Sequence, residues 1–278
     1  MADALAVPLL LISRGSFSGG QIISQCLSKM AGIKCLTRED LIAAVNLHGE
    51  LATRVTASIG GAARNYAEFS ALRRPYKILM RLAMLEQVRQ GDVAYFGYSG
   101  HLLLQGIAHA VRVRLVAPVE LRVKLLVSRE KCGEEQARER IHQEDEERSR
   151  WALFMYGKNL HDPESFDLCI NLERLSFPAA CDLLLNVARQ PEFQPTPESV
   201  AAVENQHLNA RVLAALVNDC RTFELELQAT AQDGKVLLEG PYLEDEMRRH
   251  VLAVARQVPG VQEVNYTEGC ALAFDMSF

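Results

Sequence analysis

The stretch Ile12-Ser-Arg-Gly-Ser-Phe-Ser-Gly-Gly20-Gln-Ile22 constrains the fold most. It follows an apolar run, Val7 to Ile12, and leads into Ile22–Met30, where apolar residues return at helical spacing. Strand, glycine-rich turn and helix in that order are the setting of a phosphate-binding loop. Glycines let backbone N–H groups turn inward on an anion, and the helix N-terminus adds partial positive charge.

The frame G-x-x-x-x-G runs from Gly15 to Gly20. A Walker A loop continues with Lys and then Ser or Thr, and this chain has Gln21 and Ile22. The Lys would reach the β/γ-phosphates and the hydroxyl would bind Mg²⁺. Gln21 offers a hydrogen bond without charge, and Ile22 offers nothing to a metal. The loop alone therefore admits two readings, a phosphate site or a glycine-rich turn in some other α/β protein.

Composition narrows the class. A chain of 278 residues with 49% hydrophobic and 23% charged residues can bury a sizeable core in one large or two ordinary domains. A net charge of −5 argues against a nucleic-acid partner. No apolar run is long enough for a membrane span, and Met1-Ala-Asp-Ala lacks the basic start of a signal peptide. Seven cysteines without a C-x-x-C pair, and histidines without H-x₃₋₅-H spacing, point to reduced thiols in a cytoplasmic protein with no metal site of its own.

Along the chain, Thr37 followed by Glu39-Asp40 signals a helix start after a short buried segment at Cys35-Leu36. Residues 38 to 90 read as helical, broken near Gly60-Gly61 and Pro75. They carry Arg54, Arg64, Arg73, Arg74, Lys77 and Arg81, either an acceptor-holding insertion or a solvated basic face. Further strands are expected at Val93–Phe96, Val111–Val116 and Phe166–Asn171. The first of these ends in the glycine turn Gly97-Tyr-Ser-Gly-His101. Strands alternating with helices imply a parallel sheet whose ligands sit at the carboxyl ends of the strands. Val119–Arg150 reads as one charged helix with Glu134–Arg138, Glu144–Arg148 and Glu146–Arg150 at i,i+4. It is a salt-bridged surface helix or a lid whose arginines swing over a phosphate chain. A closing helix is expected at Ala179–Ala188. Three prolines in 190–198 mark a linker. Beyond it come a helix at Val200–Val217, a hairpin of Thr222–Ala229 and Lys235–Gly240 turning at Asp233-Gly234, a helix at Leu243–Val258 and a strand at Val261–Tyr266.

Residues 7 to 188 resemble the cytidylate kinase-like family of P-loop proteins. The resemblance rests on Ile12–Gly20, Cys35-Leu-Thr-Arg-Glu-Asp-Leu41, Phe96–His101 and Ala117-Pro-Val-Glu-Leu-Arg122. It continues through Asp145-Glu-Glu-Arg-Ser-Arg-Trp151, Tyr156-Gly-Lys158, Asp162-Pro163 and Phe166-Asp-Leu168. The tail, 200 to 266, resembles a BON domain. The expected organisation is a three-layer α/β P-loop domain over 1–189, with a parallel sheet and helical lid and acceptor regions. A linker at 190–199 and a small BON-like α+β domain over 200–278 follow.

The family resemblance implies ATP and Mg²⁺, and transfer of a phosphoryl group to a nucleoside monophosphate. It places Gly15, Ser16, Ser18, Gly19, Gly20 and Gln21 on the nucleotide. Arg14, Arg148 and Lys158 are candidates for the missing lysine charge, and Asp145 is a candidate partner of the metal. Where cytidylate kinases carry an acidic, arginine-bearing turn, this chain has Phe96, Tyr98 and Ser99. The alternative is therefore a domain that binds a nucleotide or another phosphorylated small molecule without turnover. The C-terminal module is expected to fold separately and to pack on the kinase-like domain or on a second copy of the chain.

Overall fold

The computed structural model describes residues 9–62 and 66–269. Val7, Pro8, Arg64 and Cys270 lie outside that range. In chain order the elements begin with β1 (Leu9–Arg14), α1 (Gly20–Ala31), β2 (Lys34–Thr37), α2 (Arg38–Val45), α3 (Glu50–Ala62) and α4 (Tyr66–Val88). Then come β3 (Val93–Gly97), α5 (Gly100–Leu103), β4 (Ala110–Val116), α6 (Val119–Glu130), α7 (Glu134–Tyr156), β5 (Leu168–Asn171) and α8 (Phe177–Ala188). The last five are α9 (Pro197–Asn218), β6 (Gln228–Gln232), β7 (Lys235–Gly240), α10 (Asp245–Arg256) and β8 (Glu263–Glu268).

Two compact units form. The first, Met1–Asp40 with Gly91–Thr196, holds a five-stranded sheet in the order β2-β3-β1-β4-β5. Every pairing in it is parallel. β1 is central, and Leu9 to Ile12 are buried, as a strand covered on both faces requires. Its core joins Leu10, Ile12, Ile23, Leu27, Phe96, Val113, Ile170 and Leu184. Gly32 closes α1 in the left-handed region at φ 67°. Thr37 and Asp40 cap the start of α2 reciprocally: Thr37 N–H donates to Asp40 Oδ2 at 2.8 Å, and Asp40 N–H to Thr37 Oγ1 at 3.2 Å.

The charged helix expected over Val119–Arg150 is two helices. Lys131, left-handed at φ 56°, caps α6, and Gly133 starts α7. Of the three expected i,i+4 pairs, Glu144–Arg148 is present at 3.4 Å. Arg138 turns instead to Glu120 on α6 at 2.8 Å, and Glu146 meets His142 at 3.7 Å.

The second unit joins Leu41–Gln90 to Pro197–Phe278, so one boundary falls inside the proline-rich stretch and a helical segment from the middle of the chain is added to the C-terminal part. α4 runs unbroken through Pro75. One lost backbone bond is outweighed by the burial of Tyr76, Leu79, Met80 and Ala83–Leu85. Its arginines are spent on packing: Arg74 Nη2 donates to Leu227 O at 2.9 Å, and Arg81 Nη2 to Gln206 at 3.1 Å. Burial pushes the Arg74 guanidinium down to about 10. The small sheet has the order β6-β7-β8, with β6 antiparallel and β8 parallel to β7. The first hairpin strand begins only at Gln228. Asp219 Oδ1 accepts from the N–H groups of Arg221 and Thr222, which turns that stretch of chain away from a strand.

Candidate functional site

β1 ends at Arg14, and the chain turns back at once into α1, so residues 15–19 lie at the carboxyl edge of the sheet. Gly19 is left-handed at φ 82°, and a Cβ there would lie 2.3 Å from the Phe177 ring. A Cβ on Gly20 would lie 2.3 Å from Arg14 Cδ. Gly19 is thus favoured by its left-handed φ and by Phe177, whereas a side chain at Gly20 would have to displace the Arg14 stem. Phe17, also left-handed at φ 55°, has the guanidinium groups of Arg129 and Arg140 at 4.9 and 5.1 Å from its ring centroid. The loop is thereby fastened to the α6–α7 pair.

A second fastening is ionic. Arg122, on the first turn of α6 and 9% exposed, donates from Nε to Ser16 O and from Nη2 to Ser16 Oγ, both at 2.7 Å. Nη2 also donates to Asp145 Oδ2 at 2.5 Å. Asp145, on α7, accepts at Oδ1 from Ser16 Oγ at 2.6 Å and Ser16 N–H at 3.1 Å. Burial alone would raise the Asp145 carboxyl, but Ser16 and Arg122 hold it below the usual carboxylate range. Both carboxylate oxygens are therefore engaged in holding the first turn of the loop. Ser18 Oγ donates to Gly15 O at 3.0 Å and tightens the same turn.

The rest of the loop is free to bind. Among the described residues, no protein acceptor meets the N–H groups of Phe17, Gly19, Gly20 and Gln21, while Ser18 closes a turn over Ser16 and Phe17. Phe17, Gly19, Gly20, Gln21 and Ile22 line a cleft of about 580 Å³. Arg14, Arg129 and Arg148 complete it, and no carboxylate is among its lining residues. Burial and the charge of Arg148 lower the Arg14 pKa, and Arg14 Nε is buried with no partner. Tyr98 has Arg38 and Arg148 at 5.6 and 5.5 Å from its ring centroid.

The structure brings Arg14, Arg148 and the loop residues into one place, with Asp145 tied beneath. Lys158 is elsewhere, lining a separate cavity with His101, Arg112 and Asp167. Arg122 and Arg114 were not singled out as site residues from the sequence. The signal for Arg122 was present: it stands one turn before Leu126 and beside Val123 on the buried face of α6. A charge on an apolar stripe needs partners.

A protein-held metal does not fit the cleft. Ile22 stands where a metal-binding hydroxyl would, Asp145 is already engaged, and the lining carries no carboxylate. Among the described residues no group of three His, Cys, Asp or Glu could hold a metal ion. No described helix is long and apolar enough to cross a membrane.

The chain is 28% identical over 168 residues to a cytidylate kinase of Sulfurisphaera tokodaii, a match covering 60% of this chain and 87% of that protein. An uncharacterized protein from Eubacterium ventriosum has a similar fold, with 13% identity and a TM-score of 0.51 over 66% of this chain and 98% of its own. The cytidylate kinase-like family model matches residues 10–174, from β1 through the loop, α6 and α7 to just beyond β5. With more than half its length matched and the loop built at the carboxyl edge of a five-stranded parallel sheet, this chain belongs to the cytidylate kinase-like family.

Proposed function

We propose that the first unit binds ATP through Gly15–Gln21 and transfers its terminal phosphoryl group to a nucleoside monophosphate. The observation that carries this reading is the set of four loop N–H groups without protein acceptors, those of Phe17, Gly19, Gly20 and Gln21, set against a cleft lined in part by Arg14, Arg129 and Arg148. Such donors, fixed before the ligand arrives, stabilise phosphate charge without reorganisation. In the transfer, a phosphate oxygen of the acceptor bonds to the γ-phosphorus as the bridging bond to the leaving ADP breaks. Charge builds on the equatorial and leaving oxygens. Arg14 and Arg148 supply positive charge that Gln21 does not. Asp145, through Ser16 and Arg122, positions the loop. Mg²⁺ would arrive on the nucleotide oxygens, since the cleft offers it no carboxylate. The kinase fold, the cysteines and the nucleotide substrate are in keeping with the cytoplasm.

Transfer from γ-labelled ATP to each common nucleoside monophosphate tests the activity. Product above that of a Gly20→Asp control is expected, and none above it would defeat the transfer. The Gln21, Ile22 and carboxylate-free cleft favour a second reading, binding without turnover. Calorimetry separates the two, because that reading requires heat of nucleotide binding with no labelled product.

The BON-like reading of 200–278 is supported by its order of helix, hairpin, helix and strand. We propose it as an interaction module. Its companion helices α3 and α4 come from the middle of the chain, and pairing with a second copy remains a role for the module's outer surface.

A further inference from the structure

The cavity that Lys158 lines, of about 570 Å³, lies at the amino edge of the sheet, where β4 starts at Ala110 and Asp167 leads into β5. The glycine-rich loop is at the opposite, carboxyl edge. Buried Leu102, Leu104, Ile107 and Ala110 and half-buried Phe193 give the cavity an apolar floor, with the His101 ring beside them.

Arg112 and Lys158 face Glu164 and Asp167 in the lining, which is therefore neutral as a whole. Arg112 and Asp167 satisfy each other: Nε donates to Oδ2 at 3.1 Å and Nη2 to Oδ1 at 2.6 Å. The Lys158 ammonium and the Glu164 carboxylate, both exposed, have no protein partner among the described residues. His101 is 4% exposed, and neither of its ring nitrogens meets a protein hydrogen-bond partner among the described residues. Phe166 packs on the ring, with 4.6 Å between centroids. Burial first, and then Arg114 and Arg112, push the His101 pKa down to about 4. Near pH 7 the ring is thus neutral, one nitrogen a donor and the other an acceptor. A buried polar group without a partner is costly, and a ligand atom that hydrogen-bonds to it removes that cost.

A phosphate group suits this lining poorly, because the one uncommitted ammonium is matched by an uncommitted carboxylate. A ligand with one charge of each sign suits it well. A flat ring covers an apolar floor at little cost in side-chain entropy, and a polar atom on that ring can reach an imidazole. We propose that this cavity binds a zwitterionic aromatic amino acid. Its carboxylate meets Lys158, its ammonium meets Glu164, and its ring lies on the apolar floor with a ring N–H donating to His101. The site does not rest on the kinase reading, since it shares no lining residue with the loop cleft.

Equilibrium dialysis of labelled L-tryptophan against the full chain, without nucleotide, tests this, and saturable binding is expected. Three competitors each lack one contact: tryptophanamide the carboxylate, N-acetyltryptophan the ammonium, and L-phenylalanine the ring N–H. Each is expected to bind about two- to tenfold more weakly, the range of an exposed ion pair or a single hydrogen bond. K158M and E164Q, at exposed positions, separate the two charged contacts. K158M is expected to weaken L-tryptophan by about the same factor and to leave tryptophanamide unchanged. E164Q is expected to weaken L-tryptophan likewise and to leave N-acetyltryptophan unchanged. Absence of saturable binding overturns the proposal, as does binding that both variants leave unchanged. Displacement of tryptophan by ATP, with neither variant having an effect, puts the ligand at the loop and also overturns it. The expected pattern in a chain that transfers no phosphoryl group supports the site and counts against the kinase reading alone.

Discussion

At the scale of single residues, Arg122 and Asp145 decide whether the loop holds its shape. Replacing Arg122 by Met leaves Asp145 facing Ser16 alone. A fully buried pair broken this way costs about 3–5 kcal/mol, and solvent around the Asp145 side chain brings the expected cost to about 2 kcal/mol. That side chain is 31% exposed. Urea unfolding at pH 7 measures it, and an unchanged midpoint contradicts the pairing. The sign with pH follows from the lowered Asp145 pKa. The pair's contribution is present above the unfolded value near 4 and is lost as pH falls through the lower folded value. The gap between the native chain and Arg122→Met should therefore close in acid. Gly19 makes a separate demand: Gly19→Ala must drive a methyl into Phe177 at a left-handed φ. It is expected to cost about 1–3 kcal/mol and to abolish the thermal shift that ATP gives, roughly 2.7 kcal/mol at a hundred times Kd.

At the scale of elements, the α6–α7 turn is where helical pattern misleads. Charged residues crowd both sides of Cys132-Gly133, at Arg129-Glu130-Lys131 and Glu134-Glu135, yet Lys131 adopts the left-handed conformation that glycine fills at other helix ends. Lys131→Gly is expected to raise stability by about 0.5–1 kcal/mol, read as a higher melting temperature, since it relieves that φ. α9 carries a different lesson. It is buried along Val203, His207, Leu208, Ala210, Val212, Leu213, Leu216 and Val217, more faces than a three-stranded sheet can cover. The rest is covered by α4, through contacts such as Arg81–Gln206 and Arg89–Glu204. A fragment of residues 197–278 is therefore expected to show little cooperative melting by circular dichroism, and one that melts sharply would contradict this packing.

At the scale of the whole molecule, each unit carries a histidine that burial keeps neutral. His101, in the first unit, and His207, in the second, are each pushed down to about 4, by burial first and by nearby arginines second. Above the unfolded value near 6.5 neither state is protonated. Between about 6.5 and 4 only the unfolded chain takes up the proton, so stability falls as pH falls through that window. Each histidine accounts for a loss of up to about 3 kcal/mol at the bottom of the window. Melting temperatures at pH 7 and pH 5 measure the loss, and H101F or H207L should flatten it in its own unit. A profile left unchanged by both contradicts the buried, neutral state.

The loop, the parallel sheet and the order of the C-terminal elements were legible in the sequence, because each rests on local rules. Continuous apolar runs make buried parallel strands, glycines mark left-handed turns, and Asp233-Gly234 makes the hairpin. Arg14 and Arg148 were legible as cations near the loop by their places at the end of β1 and on α7. Local rules do not say which distant groups meet. That Asp145 binds Ser16 and Arg122, that Arg114 lies buried against Ser13 and His161, and that Lys158 faces another cavity depend on contacts across 23 to 129 residues or on the path of a loop. Pro75 was misleading for the same reason. A local backbone penalty of a few kcal/mol is offset by burying a helix face, and the partner of that face is chosen only when the chain has folded.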